Sequence, residues 1–350
     1  MEDNSGRRGS GGGDRRGDGS REGGGGREGS GGREDRARIL ITGVDGNFGR
    51  KAAQTIVELV EPERLIFTSP TGRGLEEFAR LGVTTRVANF NHSEGLVEAF
   101  AGAETLLLIS VPFVGARRRQ AHRNAIDAAV AAQVKRVVYT SIVGALSAEC
   151  TAYEIADHKD TEAYLQKQPL FATVLYNSQY TEAMVAAFEE AYETGGGVLR
   201  NNMGEGKMAY VSRDDCAIAA AWAATERDPG NRSYDINGPE AMTIARFCEI
   251  GSEVTGKQVI YEAVTDEENY AFLDALGVPR TTEDMWAETA ANFPFCSDGM
   301  VSFGRAIRLG QMSRAFGGFE ELTGRAPLSV REVFEDIDHH RIGARNSTDD

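Results

Sequence analysis

Three glycines at a fixed spacing are the first feature of this sequence that indicates chemistry. Gly43, Gly46 and Gly49 follow the apolar run ILIT at 39–42 and precede a helical pattern. At a strand-to-helix turn, small residues allow a sharp bend, close approach of the backbone to a phosphate and tight packing of the helix, whose free N–H groups attract an anion. The motif therefore predicts a dinucleotide site that begins with Gly43, Val44, Asp45, Gly46, Asn47, Phe48 and Gly49.

The end of the second predicted strand is expected to select between the two nicotinamide dinucleotides. An acidic residue there binds the ribose 2′-hydroxyl of NAD, whereas an arginine accommodates the 2′-phosphate of NADP. The strand ends in TSP at 68–70 without an acidic residue, and Arg50 and Arg73 are each placed to reach it. We therefore expect NADP, with NAD as the alternative, although both arginines could belong to a solvated surface. Asn89 and Phe90 are expected to flank the adenine, or Phe90 could be a core residue.

An alternation of short apolar runs and longer amphipathic segments positions these residues. The predicted strands are 37–42, 64–69, 84–90, 105–110, 135–141, 171–177 and 232–237, and the predicted helices are 48–60, 74–82, 93–102, 117–133, 158–168, 214–225 and 243–256. Strands separated by helices imply right-handed βαβ units, and the run TLLLIS at 105–110 is typical of a strand buried on both faces. The predicted fold class is α/β, a doubly wound parallel sheet (Rossmann) with a smaller, mainly C-terminal substrate domain.

Three regions are expected along the chain. Residues 1–36 are almost only Gly, Arg, Ser, Asp and Glu, and we expect a disordered Gly/Arg-rich tail because they offer no apolar surface to offset the entropy of ordering. Residues 37–177 form the predicted NAD(P)-binding Rossmann domain, with strand 232–237 added to its sheet. Residues 178–231 and 239–345 are assigned to the smaller domain, and a ligand cleft is expected between the two domains.

Charge and composition argue against several classes of function. The formal net charge is −15, and because charges balance within the tail, the folded part is acidic and unsuited to nucleic acid. No apolar run has the length of a membrane span and the N-terminal residues lack the apolar core of a signal peptide, so a cytoplasmic location is expected. Neither the histidines nor the cysteines have metal-ligand spacing, so reduced thiols and no metal site are expected. The cysteines are Cys150, Cys216, Cys248 and Cys296.

Longer segments of the sequence resemble one group of proteins. These segments are TGVDGNFG, LLLISVPFVGARRRQAHRNAIDAA, VKRVVYTS, DHKDTEAYL, TVLYNSQYTE, GEGKMAYVSRDDCA, YDINGPEAMTIARF and ELTGRAPLSVREVFE. Together they resemble the NmrA-like atypical short-chain dehydrogenase/reductase family, and within it the type 2 NAD(P)H:quinone oxidoreductases and the triphenylmethane reductases. The resemblance extends from Ala37 to Asp338.

This resemblance implies an NADPH site and a substrate that enters between the domains. It places the cofactor against residues 43–48 and against the loop after the fourth strand, and it puts residues 177–182, beginning with Asn177, near the nicotinamide. Relatives often carry an arginine at the position of Thr68, for which Arg73 could substitute. Their loop after the fourth strand is polar, whereas this one is apolar, which points to a different acceptor. The loop residues expected to bind the cofactor are Ser110, Val111, Pro112 and Phe113.

The usual proton relay of short-chain dehydrogenases is missing from this chain. No tyrosine is followed by a lysine four residues later, so interconversion of carbonyl and alcohol by that route is not expected. A quinone is already electrophilic, and positioning it against the nicotinamide with one or two hydrogen-bond donors supplies most of the catalysis. Asn177, Tyr180 and His158 are the candidate catalytic residues. His158, predicted at a helix start, could donate a proton near neutral pH or could bind the backbone or the cofactor ribose instead.

We therefore expect an NADPH-dependent reductase of a quinone or a similar conjugated acceptor, without a metal or flavin. A variant of this hypothesis is a tailoring reductase of a polycyclic metabolite. The alternative from another class is a non-catalytic NAD(P) sensor of NmrA type, which binds a regulatory protein partner and also lacks the tyrosine and lysine pair. The expected partner of the leading hypothesis is a small molecule, with no membrane and no nucleic acid on the folded domain, and the sequence does not indicate an oligomeric state.

Overall fold

A parallel β-sheet forms the centre of the protein. The computed structural model describes residues 38–227, 230–282, 295–312 and 317–341. In these ranges the strands are β1 (Ile39–Ile41), β2 (Leu65–Ser69), β3 (Thr84–Val87), β4 (Thr105–Leu108), β5 (Arg136–Ile142), β6 (Phe171–Asn177), β7 (Val198–Asn201), β8 (Arg232–Ile236) and β9 (Ile260–Ala263). Seven of them form one sheet in the order β3-β2-β1-β4-β5-β6-β8, with all neighbours parallel. The predicted doubly wound fold is confirmed.

Both faces of this sheet are covered, because successive side chains of a strand point to opposite sides. In β1, Ile39 and Ile41 pack into one hydrophobic core and Leu40 packs into the other. The strands β1, β2 and β4 are buried along their whole length. Burial on two faces therefore explains the continuous apolar run at 105–110, as the sequence predicts.

Helices supply the covering layers. In the described ranges they are α1 (Asn47–Ile56), α2 (Glu76–Arg80), α3 (Leu96–Phe100), α4 (Ala116–Ala131), α5 (Tyr153–Leu165), α6 (Thr181–Glu193), α7 (Arg213–Thr225), α8 (Ile244–Thr255), α9 (Asp266–Ala275), α10 (Ser297–Arg308), α11 (Gly318–Thr323) and α12 (Val330–Glu335). Helices α1, α2, α7 and α11 contribute to the core on one face, and α3, α4 and α5 contribute to the core on the other. The alanines of α7 are all buried, so this helix lies close against α1 and the sheet.

A second group of elements packs around three aromatic rings. Phe188 of α6 and Phe247 of α8 each lie 5.2 Å from Phe334 of α12, measured between ring centroids. Burying one such side chain stabilises the fold by roughly 1.5–3 kcal/mol. Beside them β7 and β9 form a two-stranded parallel sheet. The assignment of 178–231 and 239–345 to a separate domain stays a prediction, and 228–229, 283–294, 313–316 and 342–345, like the predicted tail at 1–36, lie outside the described residues.

The start of α5 differs from the sequence-based expectation. The helix begins at Tyr153, after Ala152 as the N-cap, and carries Glu154 in its first turn, where an acidic side chain suits the positive end of the helix dipole. The prediction that His158 stands at a helix start is therefore wrong. His158 lies in the helix interior, where its backbone N–H is used in the helical hydrogen bonds and cannot cap the helix.

Arg136 lies at the amino edge of the sheet and binds the end of α7. This arginine, the first residue of β5, is buried, and its guanidinium donates hydrogen bonds to the carbonyls of Ala223 (3.0 Å), Ala224 (2.8 Å) and Glu226 (2.9 Å) at the end of α7. The last carbonyls of a helix lack the full set of intrahelical partners, although that of Ala223 also accepts from the N–H of Glu226 at 3.4 Å, and a cation suits the negative end of the helix dipole. The loops that could hold a ligand lie at the opposite, carboxyl edge of the sheet.

The described residues offer little metal or thiol chemistry. They contain no helix with the length and apolar character that a bilayer crossing requires, and no group of three or more His, Cys, Asp or Glu side chains that could hold a metal ion. The four cysteines are unpaired and buried. Burial raises the pKa of Cys248 to about 12 and that of Cys296 to about 11, so both thiols stay protonated at neutral pH.

Candidate functional site

Two clefts open at the carboxyl edge of the sheet, with volumes of about 310 Å³ and about 990 Å³. The smaller cleft contains most of the residues that the sequence assigned to a cofactor. Its lining includes, from the glycine turn, Gly43, Asp45, Gly46, Asn47, Phe48 and Gly49. Asn89 and Phe90 after β3 and Ser110, Val111, Pro112 and Phe113 after β4 complete the predicted set in this cleft. The topology thus brings the ends of β1, β3 and β4 together around one cavity.

Three predicted cofactor residues do not line either cleft. Val44 is buried in the core beside β2, where its N–H donates to the carbonyl of Thr68 at 3.0 Å. Arg50 forms an ion pair of 2.6 Å with Glu77 on α2, and Arg73 donates a hydrogen bond of 3.3 Å to Thr71. Phe90 fits both sequence-based alternatives, a cleft residue and a core residue. It lines the cleft and also packs edge-on against Phe100 in the core.

The geometry of the glycine turn fits an anion. Gly43 has φ +63°, a left-handed conformation that favours glycine. A Cβ on Gly49 would lie 2.0 Å from the carbonyl oxygen of Gly43, so α1 packs against the turn more closely than any side chain permits. Helix α1 has no side-chain cap and no acidic residue in its first turn. Its first amides therefore remain available for a phosphate, at the positive end of the helix dipole.

The loop after β4 is held rigid by hydrogen bonds to side chains. The N–H groups of Ile109 and Ser110 donate to Thr42 (3.1 Å) and Thr140 (2.8 Å). The next N–H, that of Val111, donates to His122 Nε2 at 3.1 Å. Since Nε2 accepts a hydrogen bond here, His122 is neutral, which agrees with a pKa that burial, assisted by the positive charge of Arg118, lowers to about 3. A pre-ordered loop of this kind loses little entropy when a ligand binds.

The end of β2 differs from the expectation in one respect that bears on the cofactor. Thr68 is fully buried in the sheet, so its side chain does not reach the cleft, whereas Pro70 does. An acidic group is nevertheless present, because the glycine turn brings Asp45 beside the loop after β2. A Cβ on Gly74 would be 3.4 Å from the Cα of Asp45. Burial raises the pKa of Asp45, and the nearby charge of Arg73 opposes that rise.

The three predicted catalytic residues, His158, Asn177 and Tyr180, all line the larger cleft. Asn177 ends β6 and is buried, and its Oδ1 has no hydrogen-bond partner among the described residues. Burial raises the pKa of Tyr180, so this phenol stays protonated and can donate a hydrogen bond. The opposite wall of the cleft is apolar and comes from the second half of the chain, with Phe272, Leu273 and Leu276 on or next to α9 and Met300 and Phe303 on α10.

His158 is buried and bonded on both ring nitrogens. Its Nδ1 lies 2.8 Å from the hydroxyl of Tyr139, and its Nε2 lies 3.3 Å from Nη1 of Arg118. Burial lowers its pKa well below the usual value, and the positive charge of Arg118 lowers it further. The expectation of an imidazolium that donates a proton near neutral pH is therefore not met by the geometry. Tyr139 is fully buried behind the cleft wall.

Sequence reasoning missed four charged residues in this cleft, Arg118 on α4, Glu154 on α5, Glu190 on α6 and Arg200 on β7. Arg118 stands in the run RRR at 117–119, which the helical pattern alone assigns to no particular face. Glu154 lies in the unpredicted first turn of α5. Ser141 also lines the cleft, and its hydroxyl donates a hydrogen bond of 2.5 Å to the buried carboxyl of Glu162.

The two clefts meet along one wall. Within the described residues, the side chains or backbone of Phe48, Ile109, Ser110, Val111 and Pro112 line both cavities. A molecule in the smaller cleft would therefore contact a molecule in the larger one at the end of β4. Ser110 Oγ, which is buried at this junction, has no hydrogen-bond partner in the described ranges.

Several known proteins are similar to this chain in sequence and fold. A profile of the family described as "NmrA-like family" matches residues 35–294. Quinone oxidoreductase 2 of Escherichia coli is 33% identical over 252 residues, which cover 72% of this chain and 86% of that protein. An NADPH-dependent quinone oxidoreductase of Escherichia coli, solved in complex with NADPH, has a TM-score of 0.76 at 27% identity and covers 86% of this chain and 99% of its own. Triphenylmethane reductase of Citrobacter sp., solved with NADP(H), has a TM-score of 0.71 at 27% identity, covering 85% and 99%.

Proposed function

The chain belongs to the NmrA-like family, as its sequence segments indicated, and on this basis we propose that it is an NADPH-dependent reductase that transfers hydride directly to a quinone or a similar conjugated acceptor. The predicted class, an NAD(P)H-dependent oxidoreductase, is confirmed by relatives that carry such names. The wall shared by the two clefts is the observation that carries the proposal, because it allows a dinucleotide and an acceptor to touch at one place.

The smaller cleft supplies the residues for the dinucleotide. The first amides of α1 and the turn at Gly43 and Gly46 would hold the pyrophosphate, and Asn89 and Phe90 would flank the adenine. Arg73 would approach the 2′-phosphate from the loop after β2. Relatives solved with NADPH or NADP(H) support the choice of this cofactor, which supplies a hydride when bound.

The larger cleft supplies the residues for the acceptor. Its volume of about 990 Å³ is at the upper end of ordinary small-molecule sites, and the apolar wall on α9 and α10 suits a flat aromatic molecule. Asn177 and Tyr180 would orient the nicotinamide and the acceptor with hydrogen bonds. The same dimensions support the more specific hypothesis that the acceptor is polycyclic, as a tailoring reductase would require.

Binding and turnover can be measured in one experiment. NADPH and NADH are titrated into the purified full-length protein and followed by fluorescence, and a simple benzoquinone is then added. We expect tighter binding of NADPH and a catalytic fall in its absorbance above the rate without protein. Selective binding of the nucleotide without consumption, across a panel of quinones that includes polycyclic ones, would contradict the reductase and favour the sensor hypothesis.

A further inference from the structure

Glu154 is an isolated carboxyl group in the acceptor cleft. It lies one helical turn before His158 on α5, so both side chains face the same side of the helix, and both line the larger cleft. The side chain is partly buried. Nowhere in the described ranges does its carboxylate have a hydrogen-bond or ion-pair partner, in contrast to Asp157, which accepts from Arg119 at 2.5 Å and from the N–H of Gly115 at 2.6 Å.

Arg118 is a buried cation beside it. The residue is only 8% exposed, and it approaches the cleft from α4. Its Nη1 lies 3.3 Å from His158 and 4.0 Å from Asp157. Its Nε has no partner among the described residues. A guanidinium carries five N–H donors, so Arg118 keeps donors for a group that enters the cleft.

The surroundings of Glu154 favour the protonated carboxyl. Burial raises its pKa, the positive charge of Arg118 opposes that rise, and the negative charge of Asp157 adds to it. The remaining titratable neighbours are His158, which is neutral, and Cys296 at the start of α10, whose thiol is protonated. Once the proton has left, Arg118 stabilises the carboxylate by charge.

We propose that Glu154 and Arg118 are the proton donor and the oxyanion-binding residue of the larger cleft, in place of the tyrosine and lysine that the chain lacks. This inference rests on the proposed reductase function. Glu154 reaches solvent, as a proton donor that must be recharged in every cycle requires, and Arg118 is fixed by His158 in a cleft of low polarity, where its charge acts strongly.

The reaction balances with these two residues. The quinone gains a hydride, which carries two electrons and comes from a reduced nicotinamide, and a proton, which comes from the carboxyl of Glu154. The products are the hydroquinone, the oxidised nicotinamide and the carboxylate of Glu154, which then takes a proton from solvent. A triarylmethyl cation differs in this respect, because it becomes a neutral leuco compound by gaining the hydride alone and needs no proton.

The two acceptors therefore provide the test, with Glu154→Gln as the variant and Glu149→Gln, an exposed carboxylate in the loop before α5, as the matched control. For Glu154→Gln we expect kcat with a benzoquinone to fall by about a hundredfold, the lower range of general acid catalysis. We expect kcat with a triarylmethyl cation and the Kd of NADPH to change by less than about threefold, far below that range. Equal losses with both acceptors, or no loss with either, would overturn the inference.

Arg118→Met should likewise slow quinone reduction, by about tenfold or more, and spare the cation, since no oxyanion develops on the latter. Thermal unfolding and NADPH binding show whether this variant is folded. If it is not, Arg118→Lys, which keeps the charge but loses the planar donors, replaces it and should show a partial loss with the quinone alone. A variant of Arg118 that is folded and reduces the quinone at the wild-type rate contradicts its role.

Two further readouts do not depend on the second acceptor. In the wild type, kcat/KM with the quinone should fall as the pH rises through the raised pKa of Glu154, and this limb should be absent in Glu154→Gln. In the protein without cofactor, carbon-13 NMR of labelled glutamate should show a carboxyl that titrates late and disappears in Glu154→Gln, whereas the signal of Glu162, whose pKa burial also raises, should remain. A Glu154 signal that titrates as an ordinary exposed glutamate overturns the inference, whereas a wild type that oxidises NADPH with neither acceptor contradicts the proposed function itself.

Discussion

Nη1 of Arg118 lies 3.3 Å from Nε2 of His158, and this contact decides the protonation of the histidine. A guanidinium can only donate, so Nε2 must accept and the ring proton must sit on Nδ1. From there it is donated to the hydroxyl of Tyr139 at 2.8 Å. The histidine is thus a neutral link between a cation in the cleft wall and a phenol behind it.

His158→Gln tests this neutral state. The amide keeps a hydrogen-bond acceptor for Arg118 but cannot carry a proton, so we expect quinone reduction to fall by less than about tenfold, below the usual contribution of a general acid. The pH profile should keep its shape, since no imidazolium is lost. Steady-state kinetics across pH, with the Tm as a control for folding, provide the measurement. Loss of a limb near neutral pH would restore His158 as the proton donor.

Substitutions of two glycines of the turn should have different effects, on stability at Gly49 and on NADPH binding at Gly46. A Cβ at Gly49 would lie 2.0 Å from the backbone of Gly43, whereas one at Gly46 meets that backbone at 3.4 Å, an ordinary contact. Gly49→Ala should therefore destabilise the protein by about 1–3 kcal/mol through overpacking. Gly46→Ala should keep its Tm and bind NADPH about tenfold or more weakly, because the methyl group obstructs the phosphate. Equal NADPH affinity in Gly46→Ala and the wild type would show that no phosphate approaches there.

Arg73 and Arg50 are expected to differ in their effect on cofactor choice. Arg73 interacts electrostatically with Asp45 in the cleft, whereas Arg50 pairs with Glu77 at 2.6 Å. Arg73→Ala should weaken NADPH binding by about tenfold, the scale of one charged contact with a phosphate, and leave NADH unchanged. Arg50→Ala is the matched control and should alter neither affinity. Fluorescence titration with both nucleotides distinguishes the two; a loss confined to Arg50→Ala would reverse the assignment.

Phe272 is expected to bind the acceptor. Its ring is 57% exposed on α9 and lines the larger cleft, whereas Phe171, 56% exposed, starts β6 at the other edge of the sheet. Because burial of an aromatic ring is worth roughly 1.5–3 kcal/mol, Phe272→Ala should raise the KM for an aromatic quinone by about tenfold or more. Phe171→Ala should leave it unchanged, and neither should alter the Kd of NADPH. An unchanged KM in Phe272→Ala would remove α9 from the acceptor site.

The stability of the protein should depend on pH through His340. Its Nδ1 lies 3.3 Å from Oε1 of buried Glu182, and this hydrogen bond raises the pKa of the histidine above its usual 6.5. The folded state therefore holds the proton more tightly than the unfolded state. The stabilisation is full below the unfolded pKa and is lost as the pH rises through the folded pKa.

Urea unfolding of the wild type and His340→Gln between about pH 5 and about pH 9 measures this contribution. The difference in unfolding free energy should be largest at the acidic end and should shrink as the pH rises. His92→Gln, at an exposed position, controls for the removal of a histidine as such. A difference that grows with pH would mean that the pair does not stabilise the charged imidazole.

The sequence predicted the sheet well because its strands are buried on both faces and appear as continuous apolar runs. The glycine turn was equally readable, since Gly43 needs a left-handed conformation and Gly49 has no space for a Cβ. The start of α5 could not be predicted, because Ala152 stands at the N-cap without a side-chain hydrogen bond. The usual Ser, Thr, Asp or Asn signal of a helix start is absent there.

The charged residues of the cleft could not be predicted from spacing. Three consecutive arginines have three different surroundings: Arg117 stacks on the ring of Phe113 at 3.7 Å, Arg118 is buried, and Arg119 pairs with Asp157. The rotation of α4 against α5 decides which of these arginines enters the cleft. The local sequence pattern does not reveal that rotation. Asp45 is a similar case. An acidic residue that selects the nucleotide is expected at the end of β2, whereas Asp45 comes from the glycine turn after β1.

The wall common to the two clefts also bears on how this fold changes over evolution and in the laboratory. Most residues of the larger cleft do not line the smaller one, so, under the proposed function, substitutions on α9 and α10 should alter the acceptor range while nucleotide choice stays fixed. Phe48, Ile109, Ser110, Val111 and Pro112 are different, because each lines both cavities. Under the proposed function, substitutions at these positions should change two specificities at once, and a library intended to retain the nucleotide should leave them unvaried.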